Sequence, residues 1–580
     1  RQTSKRGIYK VVVRSRQEEV TRACLAAGRD LVMAAINDTH YDVPGTIEKL
    51  RELADKLCLG PSTNSIVDGA TERGIPFIRL NEGNLVQLGY GARQRRIWTA
   101  ETDSTSAIAE SISRDKDLTK SLLASCGVPI PEGRIVASPE DAWEAAEDIG
   151  LPVAVKPTDA NHARGVSLEL TLREQVEAAY HVALAEGSEV MVERYVPGVE
   201  HRLLVVGNRL VAATRGETAS VVGDGKSTIV ELIDSQINSD PRCGEDEFSP
   251  IEPVHVEREP AVLLELQRQG FAPDSVPSVG KKVLIIRYGN LADDVTDEVH
   301  PDVAEAATLA ARVVGLDIAG IDIVAEDISR PLEEQRGAIV EVNAGPGLLM
   351  HLKPAKGKPR PVGQAIVDSL FPAGDKGRIP IVGIAGSKGT SLTARLMSWL
   401  LQLTGKHVGL SCRDGLFLDK RMVDKRDCAN WAAGQRLLIN RSVDAAVFEN
   451  GAAMILGEGI AYDRCQVGIV TDAEGAESLA DFDIHNAEQL YHVLRTQVDI
   501  VLPEGAAVLN AADPLVARMA ELCDGDVIFY GLTQDLPAIA AHRARGGRAL
   551  YLRESRIMLA TGAVEGPFME LPVFATNKDG

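Results

Sequence analysis

The chain has 580 residues, a net charge of −21, 45% hydrophobic and 25% charged residues. This length predicts about three domains, and the acidic balance argues against a nucleic-acid partner, which needs a basic face, while suiting a cytoplasmic protein and a cationic substrate. No run of about 18 apolar residues predicts a membrane span, and no signal peptide is visible; the eight cysteines are scattered without a CxxC pair, so they read as reduced thiols and not as a zinc or disulfide framework.

In chain order, residues 1–95 mix a strand-like run (IYKVVVRS), two helical runs (EEVTRACLAAGRDLVMAAI and TIEKLRELADKL) and a closing stretch, IPFIRLNEGNLVQLGYGARQRRIW. This predicts a small N-terminal α/β domain. Over 96–375 strand-like runs alternate with helical ones: GRIVAS, PVAVKP, EVMVERYV, HRLLVVGNRLVAAT, KVLIIRY, IDIVAED and GAIVEVNA. PAGDKGR, from Pro372, has the composition of a linker. Beyond it, over 376–580, IPIVGIA, HVGLSC, DAAVFEN, QVGIVTD, AAVLNA and DVIFYG are buried-strand runs spaced by helical segments, which predicts a doubly wound parallel sheet.

Chemistry concentrates first in the middle segment. Glu341 and Asn343 are two apart in AIVEVNA, so they share a strand face, and Asp322 in GIDIV lies on a neighbouring strand. Three oxygen ligands converging there could hold Mg²⁺ against phosphate oxygens. Lys116 and Lys156, the latter ending the strand PVAVKP, are point charges suited to phosphates. The small-residue loop DANHARGVS follows, with His162 and Gly165, and could close over a triphosphate. Glu193 and Glu200 in VERYVPGVE could accept from an adenine amino group and from ribose hydroxyls.

The order DK, VKP, glycine-bearing loop, VERYVPGVE, GID, EVNAGPG resembles the ATP-grasp fold of D-alanine–D-alanine ligases and glutathione synthetases. Longer stretches, LGPSTNSIVDGA, RLNEGNLVQLGYGARQRRIWTAETD and AGIDIVAEDISRPLEEQRGAIVEVNAGPGLLMHL, resemble the cyanophycin synthetases. The resemblance implies an α/β multidomain chain: an N-terminal domain, an ATP-grasp domain and a Mur-ligase-like domain. It implies ATP and Mg²⁺, a carboxylate–amine ligation, a cyanophycin primer as partner, and a homodimer as the simplest symmetric assembly. Carried over by motif, Lys116, Lys156, His162, Gly165, Glu193, Tyr195, Val196 and Glu200 would bind ATP, and Asp322, Glu341 and Asn343 the magnesium. Arg287, with Lys156, would be catalytic, its guanidinium steadying the developing oxyanion. His201, Arg202, Arg242 and Asn290 would meet the acidic substrate chain.

The chain also departs from the family. Ala160 and Ala163 stand where the family's phosphate loop has glycines, and YGNLADDVTDEV is short beside the family's longer loop. In the C-terminal domain, GIAGSKGTS (383–391) follows the frame of a Mur-type phosphate loop, but Thr390 fills the lysine position and the lysine stands two residues earlier, at Lys388. A charge meant to reach phosphates from a helix N-terminus is thereby redirected by a large part of a turn. Glu449-Asn-Gly451 keeps the glutamate of the family's acidic segment without its arginine, and GIVTDAEGAESLADFDIHN lacks the expected metal-linked histidine. The chain also stops at Gly580, where the family continues into a lid domain. These losses predict a Mur-type domain without activity and a ligase that joins β-aspartyl-arginine dipeptides at one ATP-grasp site. Two alternatives stay open: a two-site enzyme adding free aspartate and arginine, and a non-catalytic, granule-associated pseudo-synthetase.

Overall fold

The computed structural model describes residues 7–9, 11–158, 165–216, 218–244, 249–251, 253–286 and 292–570. Internal contacts divide the chain into two compact units: residues 15–86 with 95–375, and residues 1–14 and 87–94 with 376–580. The segment read as a separate N-terminal domain is therefore shared between the two units.

The first unit is built around two antiparallel sheets. One has four strands in the spatial order Gly133–Val136, Val190–Arg194, Val153–Pro157, Ser167–Leu170. The helices Pro139–Ile149 and Arg173–Glu186 supply its core with Ala142, Ala146, Val176 and Ala183. The other sheet has five strands in the order Ala292–Asp294, Arg209–Gly216, Val199–Val206, Ile318–Ala325, Ala338–Ala344. HRLLVVGNRLVAAT is thus a hairpin and not one strand. Gly207 and Asn208 both take positive φ, as the two-residue turn matching strand twist demands. One face of this sheet is apolar: Leu203, Val205, Ala213, Ile321 and Ile323 share a core with Val303, Ala307 and Ala311 of helix Pro301–Val314. Period-two alternation then leaves residues 200, 202, 320, 322, 341 and 343 to the opposite face. A two-stranded sheet, Ala219–Val222 with Lys282–Ile286, carries its own small core of Val221, Ile229, Leu232, Leu266 and Val283.

The strand expected at IYKVVVRS does not form. Among the described residues Tyr9 makes only an isolated bridge, and Val11 and Val12 are exposed. A β-prone run without a neighbouring strand has no ladder to join. The two helices after it, Glu18–Ile36 and Val43–Leu57, form as the periodicity predicts.

The second unit is the expected doubly wound sheet. Seven parallel strands run in the order Val408–Cys412, Ala445–Asn450, Ile381–Ala385, Cys465–Val470, Val501–Asn510, Asp526–Gly531, Arg548–Arg553, with two antiparallel strands added at each edge. The central strands are buried on both faces, which explains their unbroken apolar runs. No helix among the described residues is long and apolar enough to cross a membrane, and all eight cysteines are free.

Candidate active site

Cross-strand register assembles the site on the polar face of the five-stranded sheet. Asp294 pairs with Thr214, Thr214 with Arg202, Arg202 with Asp322 and Asp322 with Glu341, so one transverse row crosses all five strands. Side chains of such partners stand side by side. Arg202 Nε donates to Glu200 Oε1 at 3.0 Å, and Asn343 Nδ2 to Asp322 Oδ2 at 3.3 Å. Lys116, opening helix Lys116–Ser125, reaches Glu341 Oε1 at 3.2 Å. At the far end Arg360 closes the row, donating from Nη2 to Asp294 at 2.6 Å and from Nη1 to Asp297 at 3.0 Å.

At Asp322 the row is crowded with negative charge, from Glu200 and Glu341. Burial, and then the neighbouring Glu200, push the Asp322 carboxyl up to about 8, with Arg202 acting against them. A carboxyl so raised is a site that a cation would discharge. No group of three or more His, Cys, Asp or Glu among the described residues forms a ready metal cage. Magnesium does not require one, since it is commonly held by one or two carboxylates plus waters and substrate phosphates. Asp322, Glu341 and the amide oxygen of Asn343 fit that mode, with Lys116 as the present counter-charge of Glu341.

A second cluster lies on the four-stranded sheet. Glu193 is buried between two ammoniums: Lys156 Nζ at 2.7 Å and Lys120, which also contacts it directly. Burial alone would raise the Glu193 carboxyl, but the two lysines outweigh it and hold it below the usual range. Burial likewise opposes the charge on Lys156, yet Glu193 keeps this lysine above its ordinary value. Lys120 is pushed down to about 8 by burial and by Lys156. Tyr195 and Val196 follow this strand half-buried, and the Tyr195 amide donates to the Pro152 carbonyl at 3.1 Å.

Other expected residues lie elsewhere. His201 stands one residue from Arg202 and so on the opposite face; it is buried, and its Nδ1 has no hydrogen-bond partner. Arg242 is engaged with Asp240 in an exposed turn. Gly165 takes φ +71° beside Glu186, where a Cβ would crowd the helix. His162, Arg287 and Asn290 lie outside the described residues, as do residues 159–164 of the small-residue loop. Lys120 was missed in the sequence although it stands four after Lys116, the spacing that places two side chains on one helix face. Arg360 and Asp294 had no local signal, because they meet only through the fold.

The C-terminal loop is built differently. Strand Ile381–Ala385 leads through Gly386–Gly389 into helix Thr390–Gln402. The Ser387 and Lys388 amides, which would face a phosphate in a working loop, donate to the carboxylate of Asp472, each at 3.0 Å to Oδ2. The Ser387 and Thr471 hydroxyls add bonds of 2.6 and 2.8 Å. Glu449 is equally occupied: Thr390 and Ser391 hydroxyls reach it at 2.7 and 2.8 Å, and Arg413 donates from Nε and from its backbone amide, each at 2.9 Å. Burial opposes both charges, but these donors hold both carboxyls below their usual range, so they are anions. Lys388 Nζ turns outward to Glu474 at 2.5 Å.

Comparison with known proteins follows this geometry. Residues 109–205 match the ATP-grasp domain family. The chain is 36% identical to a cyanophycin synthetase of Trichormus variabilis over 97% of its own length and 63% of that protein. A cyanophycin synthetase of Synechocystis is 37% identical over 97% of the chain and 65% of that protein. The chain is similar to cyanophycin synthetases along nearly the whole of its own length. It spans just under two thirds of their length. A glutathione biosynthesis bifunctional protein of Clostridium perfringens is 31% identical over 53% of the chain and 41% of that protein. The ATP-grasp match falls within the unit that carries the acid row.

Proposed function

We propose that the chain is an ATP-dependent carboxylate–amine ligase that joins β-aspartyl-arginine dipeptides into cyanophycin at its ATP-grasp site alone. The observation that carries this reading is the occupied C-terminal loop: Asp472 and Arg413 stand where the phosphates and the metal of a second ATP would be held. With one working site, a polymer of aspartate and arginine must be made from units in which the two are already joined.

In this reading ATP separates the Lys156–Glu193 pair. Its phosphates take Lys156 and Lys116, and its adenine amino group donates to Glu193, beside Tyr195 and Val196. Glu200 accepts from the ribose. His162 and Gly165 belong to the loop expected over the phosphates. Asp322, Glu341 and Asn343 would hold Mg²⁺, which supplies positive charge against the phosphate oxygens. A carboxylate oxygen at the C-terminus of the polymer attacks the γ-phosphorus and ADP leaves. The α-amine of the dipeptide's aspartate then attacks the acyl carbon, loses its proton, and phosphate departs with the C–O electron pair. Phosphoryl transfer of this kind asks for positioning and charge neutralisation more than for a protein nucleophile. Arg287 is assigned to the oxyanion, and Arg202, Arg242 and Asn290 to the acidic backbone of the polymer. Of these, Arg202 is the one beside Asp322 in the described structure.

The test is ATP turnover with a short cyanophycin primer, with dipeptide in one reaction and free aspartate plus arginine in the other. Turnover and insoluble polymer only with dipeptide support the proposal. Polymer from the free amino acids would make the C-terminal site active and the proposal wrong. A folded protein silent in both reactions would favour a non-catalytic role.

A further inference from the structure

Glu193 is held by two lysines, and the phosphates of ATP would take one of them, Lys156. The carboxylate stands on strand Val190–Arg194 and is 5% exposed. Its seat is fixed by backbone: Gly133 is its partner on the neighbouring strand, and a Cβ there would lie 2.7 Å from the Glu193 Cβ. Lys156 reaches it at 2.7 Å from strand Val153–Pro157. Lys120 reaches it from helix Lys116–Ser125, with its Nζ also 3.6 Å from the Met191 sulfur, and is itself 9% exposed. Two ammoniums on one carboxylate leave a buried surplus of positive charge. Such a surplus is costly unless a further anion completes it. The cost shows on Lys120, which burial and then Lys156 push down to about 8.

The two lysines are not equivalent. Lys156 also feels Glu341 of the acid row, the place expected for the phosphates. The charges acting most strongly on Lys120 are Lys156 and Glu193 themselves. Lys156 is therefore the ammonium that phosphates would draw away, and Lys120 the one that stays. We infer that Lys120 is a positioning residue for the base: it keeps Glu193 an anion, and so an acceptor, once the nucleotide has taken Lys156. This rests on the reading of the site as an ATP site. Without Lys120, a nucleotide that drew Lys156 away would strand a buried carboxylate with no counter-charge. Such a group takes up a proton instead. Protonated, it donates to a carbonyl as readily as it accepts from an amino group. Lys120 thus makes the site prefer adenine, whose 6-amino group donates, over a base with a carbonyl in that place.

Titration calorimetry of the purified chain tests this, with MgATP and with magnesium inosine triphosphate, which carries a carbonyl in place of the 6-amino group. The wild type should prefer ATP. Lys120→Met keeps an unbranched side chain against Met191. It should weaken ATP by about tenfold or more, the worth of a hydrogen bond to a charged group, and leave inosine triphosphate bound as well as before or better. The ratio decides, because a merely structural lysine would weaken both nucleotides alike. Glu193→Gln supplies the second check. An amide needs no counter-charge, so in that background the further change Lys120→Met should lose most of its effect on ATP. This pair of variants also decides the matter if Lys120→Met alone does not fold. A wild type without preference, an unchanged ratio in Lys120→Met, or the same loss whether residue 193 is Glu or Gln would overturn the inference and leave the ATP site standing. A wild type that binds neither nucleotide would overturn the ATP reading and this inference with it.

Discussion

Two regions of this molecule are built to face anions, and they meet that task in opposite ways. In the ATP-grasp unit, cations and carboxylates are paired side chain to side chain, Lys156 with Glu193 and Lys116 with Glu341, while Asp322 is left short of a counter-charge. In the C-terminal unit the anion is part of the chain. Asp472 fills the loop amides, and Arg413 fills the acceptor sites of Glu449. A buried charge must be compensated in either case. What differs is whether the protein completes the compensation itself or leaves it to a ligand.

The sharpest way to break this comparison is to remove one lysine from each region. Lys156→Ala should lower ATP turnover by about 10³-fold, the upper range for losing one preorganised charge, while Lys388→Ala, whose ammonium faces Glu474, should leave it unchanged. Equal losses in steady-state assays would end the distinction. Next in size, Asp322→Asn should reduce turnover by about 10²-fold, as expected when a metal's charge is poorly held, with partial recovery at high magnesium. A variant indifferent to magnesium would remove Asp322 from the metal site.

Acid stability separates the two units. His201 and His351 are buried in the ATP-grasp unit, and burial pushes each imidazole down to about 4 from 6.5. The unfolded chain therefore binds these protons first, and stability contributed above pH 6.5 is lost as pH falls toward 4, by up to about 3 kcal/mol for each. Thermal unfolding followed from pH 7 to pH 4 should show this slope, and the double variant His201→Gln, His351→Gln should flatten it. A wild-type slope unchanged in the double variant would refute the assignment. The smallest effect is expected from Arg413→Ala, which uncovers the Glu449 carboxylate and should cost about 1–3 kcal/mol of C-terminal stability with no change in ligase activity. Lost activity at normal stability would point to a working second site.

Much of the fold was legible from local pattern. The unbroken apolar runs of the C-terminal unit announced a parallel sheet because such strands are buried on both faces. Glu341 and Asn343 could be put on one face from their spacing alone. Where pattern ran out, the reason was specific. IYKVVVRS has strand propensity, but propensity does not supply a partner. HRLLVVGNRLVAAT read as one apolar run until Gly207 and Asn208 turned it back on itself. His201 and Arg202 were grouped as neighbours in sequence, whereas a strand sends neighbours to opposite faces.

The sequence by itself determined which residues carry charge, which runs are apolar enough to be buried strands, and that the C-terminal loop has no lysine at its helix N-terminus. Those are properties of residue type and spacing, set within a few residues of one another. Only the tertiary structure decided what each charge meets: that Lys120 joins Lys156 on Glu193, that Arg360 closes the acid row, and that Asp472, 85 residues from Ser387, fills the loop. Such pairings depend on strand register and sheet order. Electrostatic energy depends on separation in space, and separation along the chain carries almost none of that information.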